Sequence, residues 1–190
     1  MSISLIAPGN EFKVQGLLAA FDCDQNAHAR CIEFASRADG EGLHGIASLF
    51  RATARAKQIH AGNHAHVIRQ LGGEPVAQAH ALEVTSTLDN LRAELASEDR
   101  AVAFYAELLG NTALDDSASR TLRWALEADK PRAQSYREAI ALLETGERSS
   151  WIGTARTFYV RQACGSTSEQ PQPARCWACD EFCATFETVG

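Results

Sequence analysis

Between residues 12 and 145, apolar side chains recur at steps of three and four in four separate stretches, the spacing that lines one face of an α-helix. The first stretch runs Val14, Leu17, Phe21, Ala27, Cys31 and Phe34. The second runs Ile46, Leu49, Phe50, Val67, Ile68 and Leu71, and stops at Gly72-Gly73-Glu74-Pro75, a strong helix terminator. The third begins near Thr87 and passes Leu88, Leu91, Leu95, Val102, Tyr105 and Leu109 before Gly110-Asn111. The fourth passes Leu114, Leu122, Ala125, Tyr136, Ala139 and Leu143 and ends at Gly146. The links between helices one and two and between three and four are short, which makes each pair antiparallel neighbours. The longer stretch from Gly72 to Ser86 allows a crossover between the pairs. The pattern predicts an all-α fold, a ferritin-like four-helix bundle over residues 1–146.

Near the middle of every helix the apolar stripe turns polar. Asp24 and His28 stand on it in helix one, Lys57, His60 and His64 in helix two, Glu98 in helix three, and Asp129 and Arg132 in helix four. Ionised groups are costly to bury without partners, so these residues must meet each other, water or a metal ion. A face that simply drifts to solvent would not turn polar at the same depth on four helices. Two readings remain, a metal site and a buried network of ion pairs. A clip made by His60 and His64, four residues apart, is a weaker variant of the first.

Residues 147–190 have a different character. Four of the six cysteines fall in the last 27 residues, and cysteine crowded into a segment too small for a core points to metal ligation. Cys176-Trp177-Ala178-Cys179 reads as a knuckle in which two thiolates from one tight turn grip an ion. A second such pair would begin three residues before Cys164, where the chain has Arg161. Cys164, Cys176 and Cys179 are therefore three ligands of a four-ligand site. Cys183 offers a replacement thiolate, with water, a histidine from a partner chain or no metal as competitors. Three thiolates and an open position suit zinc better than a stable iron centre, so the expected ion is zinc or iron.

A formal charge of −6 and the lack of any Lys/Arg-rich run argue against nucleic acid as a partner. The first ten residues have no basic region ahead of an apolar stretch, and no run approaches the ~20 residues that cross a bilayer. A reduced, cytoplasmic setting with no membrane partner follows as the expectation. Cys23 and Cys31 read as small buried hydrophobes, His44, His66 and His80 as surface or loop residues, and Trp124 and Trp151 as packing residues.

The run Phe158-Tyr159-Val160, Cys164-Gly165, a polar loop, Cys176-x-x-Cys179 and Phe186-Glu187-Thr188-Val189 resembles the rubredoxin-like end of rubrerythrins. That resemblance implies a ferritin-like bundle whose di-iron site reduces hydrogen peroxide, followed by a small Fe(Cys)4 module. Carried onto this chain, it puts Asp24 where the family has Glu. Lys57-Gln58-Ile59-His60 stands for one Glu-x-x-His, and Asp129-Lys130-Pro131-Arg132 for the other. Glu98 is kept, with Ala101 in place of a second glutamate. Asp24, Glu98 and Asp129 against Lys57 and Arg132 leave a formal charge of −1, and two divalent ions would take it to +3. An intact family site has about five carboxylates against four metal charges. The count disfavours a di-iron centre and reads Lys57 and Arg132 as replacing the metals. Pro131, at about 3 kcal/mol inside a helix, adds to the same reading.

Two function classes follow. One is a rubrerythrin-like protein that has lost the peroxidase site and keeps the fold for a non-catalytic or metal-binding role. The other is a non-haem iron peroxidase (a hydrogen peroxide reductase) with altered ligands. The resemblance also implies a homodimer in which the tail docks on a bundle, the partner's by expectation. A tail of about 40 residues is too small to stand without a metal or a docking surface.

Overall fold

A computed structural model describes residues 9–110, 114–146, 150–171, 175–180, 182 and 185–190, with Ser150 and Trp151 described by backbone alone. Cys183 and the Trp151 side chain, both singled out above, thus lie outside the description, as do residues 147–149.

The predicted helices appear as α1 (Glu11–Gly40), α2 (His44–Gln70), α3 (Thr87–Leu109) and α4 (Asp116–Thr145). Their ends follow local chemistry. Ser86 Oγ accepts from the Asp89 amide at the start of α3, and Asp115 Oδ1 accepts from the Ala118 amide at the start of α4. Gly146, at φ +68°, closes α4 in the left-handed conformation that glycine reaches without strain. Pro131 sits inside α4, which runs through it unbroken.

The crossover between α2 and α3 is strapped to α1. Asp22 accepts from the Gln78 amide at 2.6 Å, Asn26 accepts from the His80 amide at 3.0 Å, and Asn26 donates to the Gln78 carbonyl at 2.8 Å. Two polar side chains one turn apart thereby replace the hydrogen bonds that an irregular segment cannot make with itself.

The apolar core is divided into two layers. Val14, Leu17, Phe21, Ile68, Tyr105 and Leu122 belong to one, and Phe34, Phe50, Leu91 and Tyr136 to the other. On α1, α3 and α4 the polar residues of the interrupted stripe fall between the two layers, and on α2 Lys57, His60 and His64 straddle their boundary. The bundle is therefore greasy at both ends and charged at its waist.

The tail adds what helical periodicity could not reveal. After a short turn of helix, α5 (Ser150–Gly153), come β1 (Phe158–Arg161), β2 (Thr167–Ser168) and β3 (Phe186–Val189). They form an antiparallel sheet in the order β2-β1-β3, with Phe158 opposite Val189 and Tyr159 opposite Ser168. Phe158 and Val160 join the apolar layer that contains Phe50.

The tail contacts the bundle of its own chain. α2 is the platform. Ser48 Oγ accepts from the Arg156 amide, Arg55 pairs with Glu187 at 2.6 Å, and Arg51 donates to the Gly190 carbonyl. Asn63 Nδ2 donates to the Ala163 carbonyl at 2.8 Å. Ser48, Arg51, Arg55 and Asn63, three, four and eight residues apart on α2, hold it in place.

Gly165 makes the closest approach. Its φ is +72°, and an added Cβ would lie 2.6 Å from His60 Nε2 and 3.0 Å from the Ala56 carbonyl oxygen. Gly165→Ala should cost at least about 1 kcal/mol in backbone strain alone and loosen the tail. Limited proteolysis should release the variant's tail several-fold faster than wild type, with bundle helicity retained. Equal rates would mean that the tail is not seated at this point.

Candidate functional site

The waist of the bundle gathers Asp24, Lys57, His60, Glu98, Asp129 and Arg132, each at most 3% exposed. Lys57 sits at the centre. Its ammonium donates to Asp129 Oδ2 at 2.8 Å and to Glu98 Oε2 at 3.0 Å, and lies 3.5 Å from Asp24 Oδ1. Arg132 reaches the remaining oxygens of two of these carboxylates, Asp129 Oδ1 at 2.5 Å and Glu98 Oε1 at 3.2 Å. Three carboxylates from three helices thus share two cations from α2 and α4. The spacing puts Asp129 and Arg132 on successive turns of one face, so they pair within α4 as well as across it.

Charge here is balanced by mutual support. Burial alone would lower Lys57, but Asp129, Glu98 and Asp24 hold its pKa well above the ordinary lysine value. Burial would raise Asp129, and Lys57 and Arg132 instead hold it well below the carboxylate range. Glu98 goes the other way. Burial and the neighbouring Asp129 push it up to about 8 against the pull of Lys57 and Arg132. A proton on Glu98 leaves two anions against two cations, which removes the excess negative charge counted in the sequence.

His60 links this waist to the tail. Its Nε2 donates to the Cys164 carbonyl at 3.0 Å, an atom that can only accept. Its Nδ1 therefore faces inward, 3.7 Å from Asp129 Oδ1 and 4.0 Å from Asp24 Oδ2. Burial lowers the His60 pKa to about 4 despite both aspartates, so the ring is neutral near pH 7. Arg132 adds a second link, from Nη2 to the Gly165 carbonyl at 3.3 Å.

Sequence reasoning missed several partners. Tyr105, read as an apolar stripe residue, donates to Asp24 Oδ1 at 3.1 Å. Thr121 Oγ1 lies 3.0 Å from His64 Nδ1, fixing a ring whose Nε2 lies 3.4 Å from Asp24 Oδ2. Glu94 is fully buried and paired with Arg30 at 3.1 Å. Its position one turn before Glu98 was the available signal. His28 does not join the waist. It is half-buried at the α1–α2 contact, with Nδ1 2.8 Å from the Ala54 carbonyl, because the stripe of α1 rotates away from the centre beyond Asp24.

In the tail, Cys164, Cys176 and Cys179 are brought together with their sulfurs within 4.8 Å of one another, close enough to hold one metal ion. Two matching turns present them. The Gly165 amide donates back to Arg161 O, and the Asp180 amide to Cys176 O, both at 2.9 Å. Gly165 and Asp180, at φ +72° and +58°, are both left-handed. Arg161 therefore occupies in one turn the place that Cys176 occupies in the other. It is fully buried, with its guanidinium carbon 4.4 Å above the Phe186 ring. Hydrogen bonds from Ser166 and from the Cys179 and Ala178 amides outweigh burial and lower the Cys176 pKa, which favours the thiolate that a metal requires. Trp124 of α4 packs on this cysteine cluster. Among the described residues a second group, Asp24, His60 and Asp129, also has donor atoms within 4.8 Å of one another.

The sequence profile of the rubrerythrin family matches residues 16–140, most of the four-helix bundle. The chain belongs to the rubrerythrin family. Among curated relatives it is 25% identical to rubrerythrin-2 of Clostridium acetobutylicum over 174 residues, covering 90% of this chain and 92% of that protein. It is 29% identical to rubrerythrin of Porphyromonas gingivalis over 175 residues, 91% and 88% of the two chains. Among solved structures, fully reduced, all-ferrous nigerythrin matches with a TM-score of 0.74 at 25% identity, covering 93% of this chain and 86% of that one. A Desulfovibrio desulfuricans bacterioferritin with a diiron site matches at a TM-score of 0.71 and 19% identity, over 77% of this chain and 90% of the other, which shows the shared fold. No described helix is long and apolar enough to cross a membrane.

Two outcomes test this geometry. Lys57→Met removes the cation common to three buried carboxylates, and in metal-depleted protein should lower the unfolding free energy by about 3–5 kcal/mol. Urea denaturation measures it, and a change under about 1 kcal/mol would place Lys57 outside the network. Cys176→Ser should abolish metal retention by the tail, read by elemental analysis; unaltered tail metal would reject the ligand assignment.

Proposed function

We propose that this rubrerythrin-family protein does not carry the di-iron peroxidase centre that its family resemblance implies, and keeps the fold as a metal-binding protein. The observation that carries this reading is the Lys57 ammonium, within 3.5 Å of Asp24, Glu98 and Asp129. A di-iron centre needs those carboxylate oxygens to face metal ions. Here all but one of the six carboxylate oxygens already face Lys57, Arg132 or Tyr105. Two further divalent charges in that space would meet two fixed cations with only three carboxylates to offset them.

The tail supports the same reading. Three thiolates with Arg161 in the fourth place favour a zinc ion over a rubredoxin-type iron centre. Cys164, Cys176 and Cys179 would hold the ion, and Trp124 would shield it from α4. Zinc has no redox chemistry of its own, so a zinc-loaded tail would not pass electrons to the bundle. Homodimerisation belongs to this proposal as well. Trp177 and Phe182 are more than half exposed beside the knuckle, apolar surface that a second chain would cover.

Anaerobic loading with ferrous iron followed by oxygen should give fewer than two irons per bundle, no near-ultraviolet oxo-bridge absorption, and hydrogen peroxide consumption at the background rate. Two bridged irons with peroxide turnover would overturn the proposal and establish a peroxidase with altered ligands.

A further inference from the structure

The knuckle turn opens onto a cavity of about 510 Å³ between α4 and the tail. Arg120, Arg123 and Trp124 line one wall, and Ala178, Cys179 and Asp180 the other. A second cavity of about 240 Å³ shares Arg120 and Trp124 and reaches Asn63 and His66 of α2. The larger cavity is positively charged. Among the described residues, Arg120 and Arg123 have no carboxylate partner. Asp180 is held by Arg175 at 2.5 and 2.7 Å, which leaves Asp116 to oppose the two cations.

Of the three clustered thiols only Cys179 lines this cavity, at 9% exposed against 1% for Cys176 and 0% for Cys164. Cys176 stands behind it, with the two sulfurs within 4.8 Å of each other. The Cys176 sulfur accepts from the Ala178 amide at 3.4 Å and lies 3.5 Å from Ser166 Oγ. Both cysteines belong to the turn that the Asp180 amide closes on the Cys176 carbonyl. Bringing their sulfurs to a bond of about 2 Å therefore needs only local closure. Cys164 Sγ is 3.7 Å from Cys176 Sγ, but its turn is anchored elsewhere. The Cys164 carbonyl accepts from His60, and the Gly165 carbonyl from Arg132.

We infer that the metal-free knuckle is a dithiol centre that exchanges with anionic low-molecular-weight disulfides entering beside Arg120 and Arg123. Cys179 attacks one sulfur of the ligand, which forms a mixed disulfide and expels the first ligand thiolate. Cys176 then attacks the Cys179 sulfur, forming the Cys176–Cys179 disulfide and expelling the second thiolate. The knuckle loses two electrons, its two thiol protons end on the two expelled thiols, and the ligand disulfide is reduced. Cys179 acts first because the cavity reaches it and not Cys176. Arg120 and Arg123 raise the local concentration of the anion at that sulfur. The inference goes beyond the reading of the bundle and does not depend on what the bundle holds. In the tail, a metal ion and the disulfide compete for the same two sulfurs.

The test uses the full-length chain freed of metal by a chelator, with oxidised glutathione as the disulfide and helicity checked by circular dichroism. Each chain should form one Cys176–Cys179 disulfide and release two glutathione thiols, read by peptide mass spectrometry and a thiol assay. Cys176→Ser should stop the reaction at one glutathione on Cys179. Arg120→Ala combined with Arg123→Ala should slow oxidised glutathione at least about 10-fold, and leave the rate with uncharged bis(hydroxyethyl) disulfide within about twofold. Both arginines lie on α4, so that split also requires the tail to be seated on its bundle. An unreacted knuckle overturns the inference, as does a disulfide that joins Cys179 to Cys164 or Cys183. A rate with oxidised glutathione that ignores the two arginines overturns it too, since the thiols would then be reacting outside the cavity.

Discussion

Lys57 holds together the middle of this protein. Its ammonium is surrounded by carboxylates from α1, α3 and α4, so a single side chain on α2 ties all four helices at one level. Such a charge could not remain buried alone, nor could Asp24, Glu98 or Asp129. Each is tolerable only because the others are there. The two apolar layers on either side exclude water from this level, which strengthens every attraction within it and makes every unmatched group more costly. Arg132 completes the balance from α4, and the raised Glu98 can hold the proton that removes the remaining charge.

The same interaction organises the relation between bundle and tail. His60 and Arg132 belong to the charged waist and also bond to the carbonyls of Cys164 and Gly165. The first cysteine turn is therefore set in place by the network that neutralises the bundle. Gly165 allows the approach, since any side chain there would collide with His60. A change in the charge or orientation of His60 would be felt one hydrogen bond away at a cysteine of the tail site.

Much of this was legible in the sequence, and for identifiable reasons. Helical periodicity places Leu17, Phe50, Leu91 and Leu122 in the core because burial must repeat along a helix. Gly72-Gly73-Glu74-Pro75 and Gly146 mark ends because their backbone chemistry leaves little choice. The polar waist was visible because charged residues interrupted four stripes at one depth. His28 failed the same test, since a stripe drifts around a long helix and periodicity cannot say where it leaves the centre. Tyr105 and Thr121 were passed over because hydroxyls fit apolar patterns and reveal a partner only when one is near. Glu94 lies off the expected metal motif, and its burial depends on Arg30 from another helix.

The sequence by itself determined the four helices, their pairing, the set of charges that must meet, and the spacing of the cysteines, because each is a property of neighbours along the chain. Tertiary structure decided which oxygen faces which cation, and that Lys57 stands at the centre with Arg132 beside it. It also decided that His60 turns its lone pair inward because a tail carbonyl occupies its other nitrogen, and that the tail lies on its own α2. Those outcomes depend on distances between groups far apart in sequence. In a buried, weakly screened interior, a shift of one ångström between such groups changes their energies more than any local preference can.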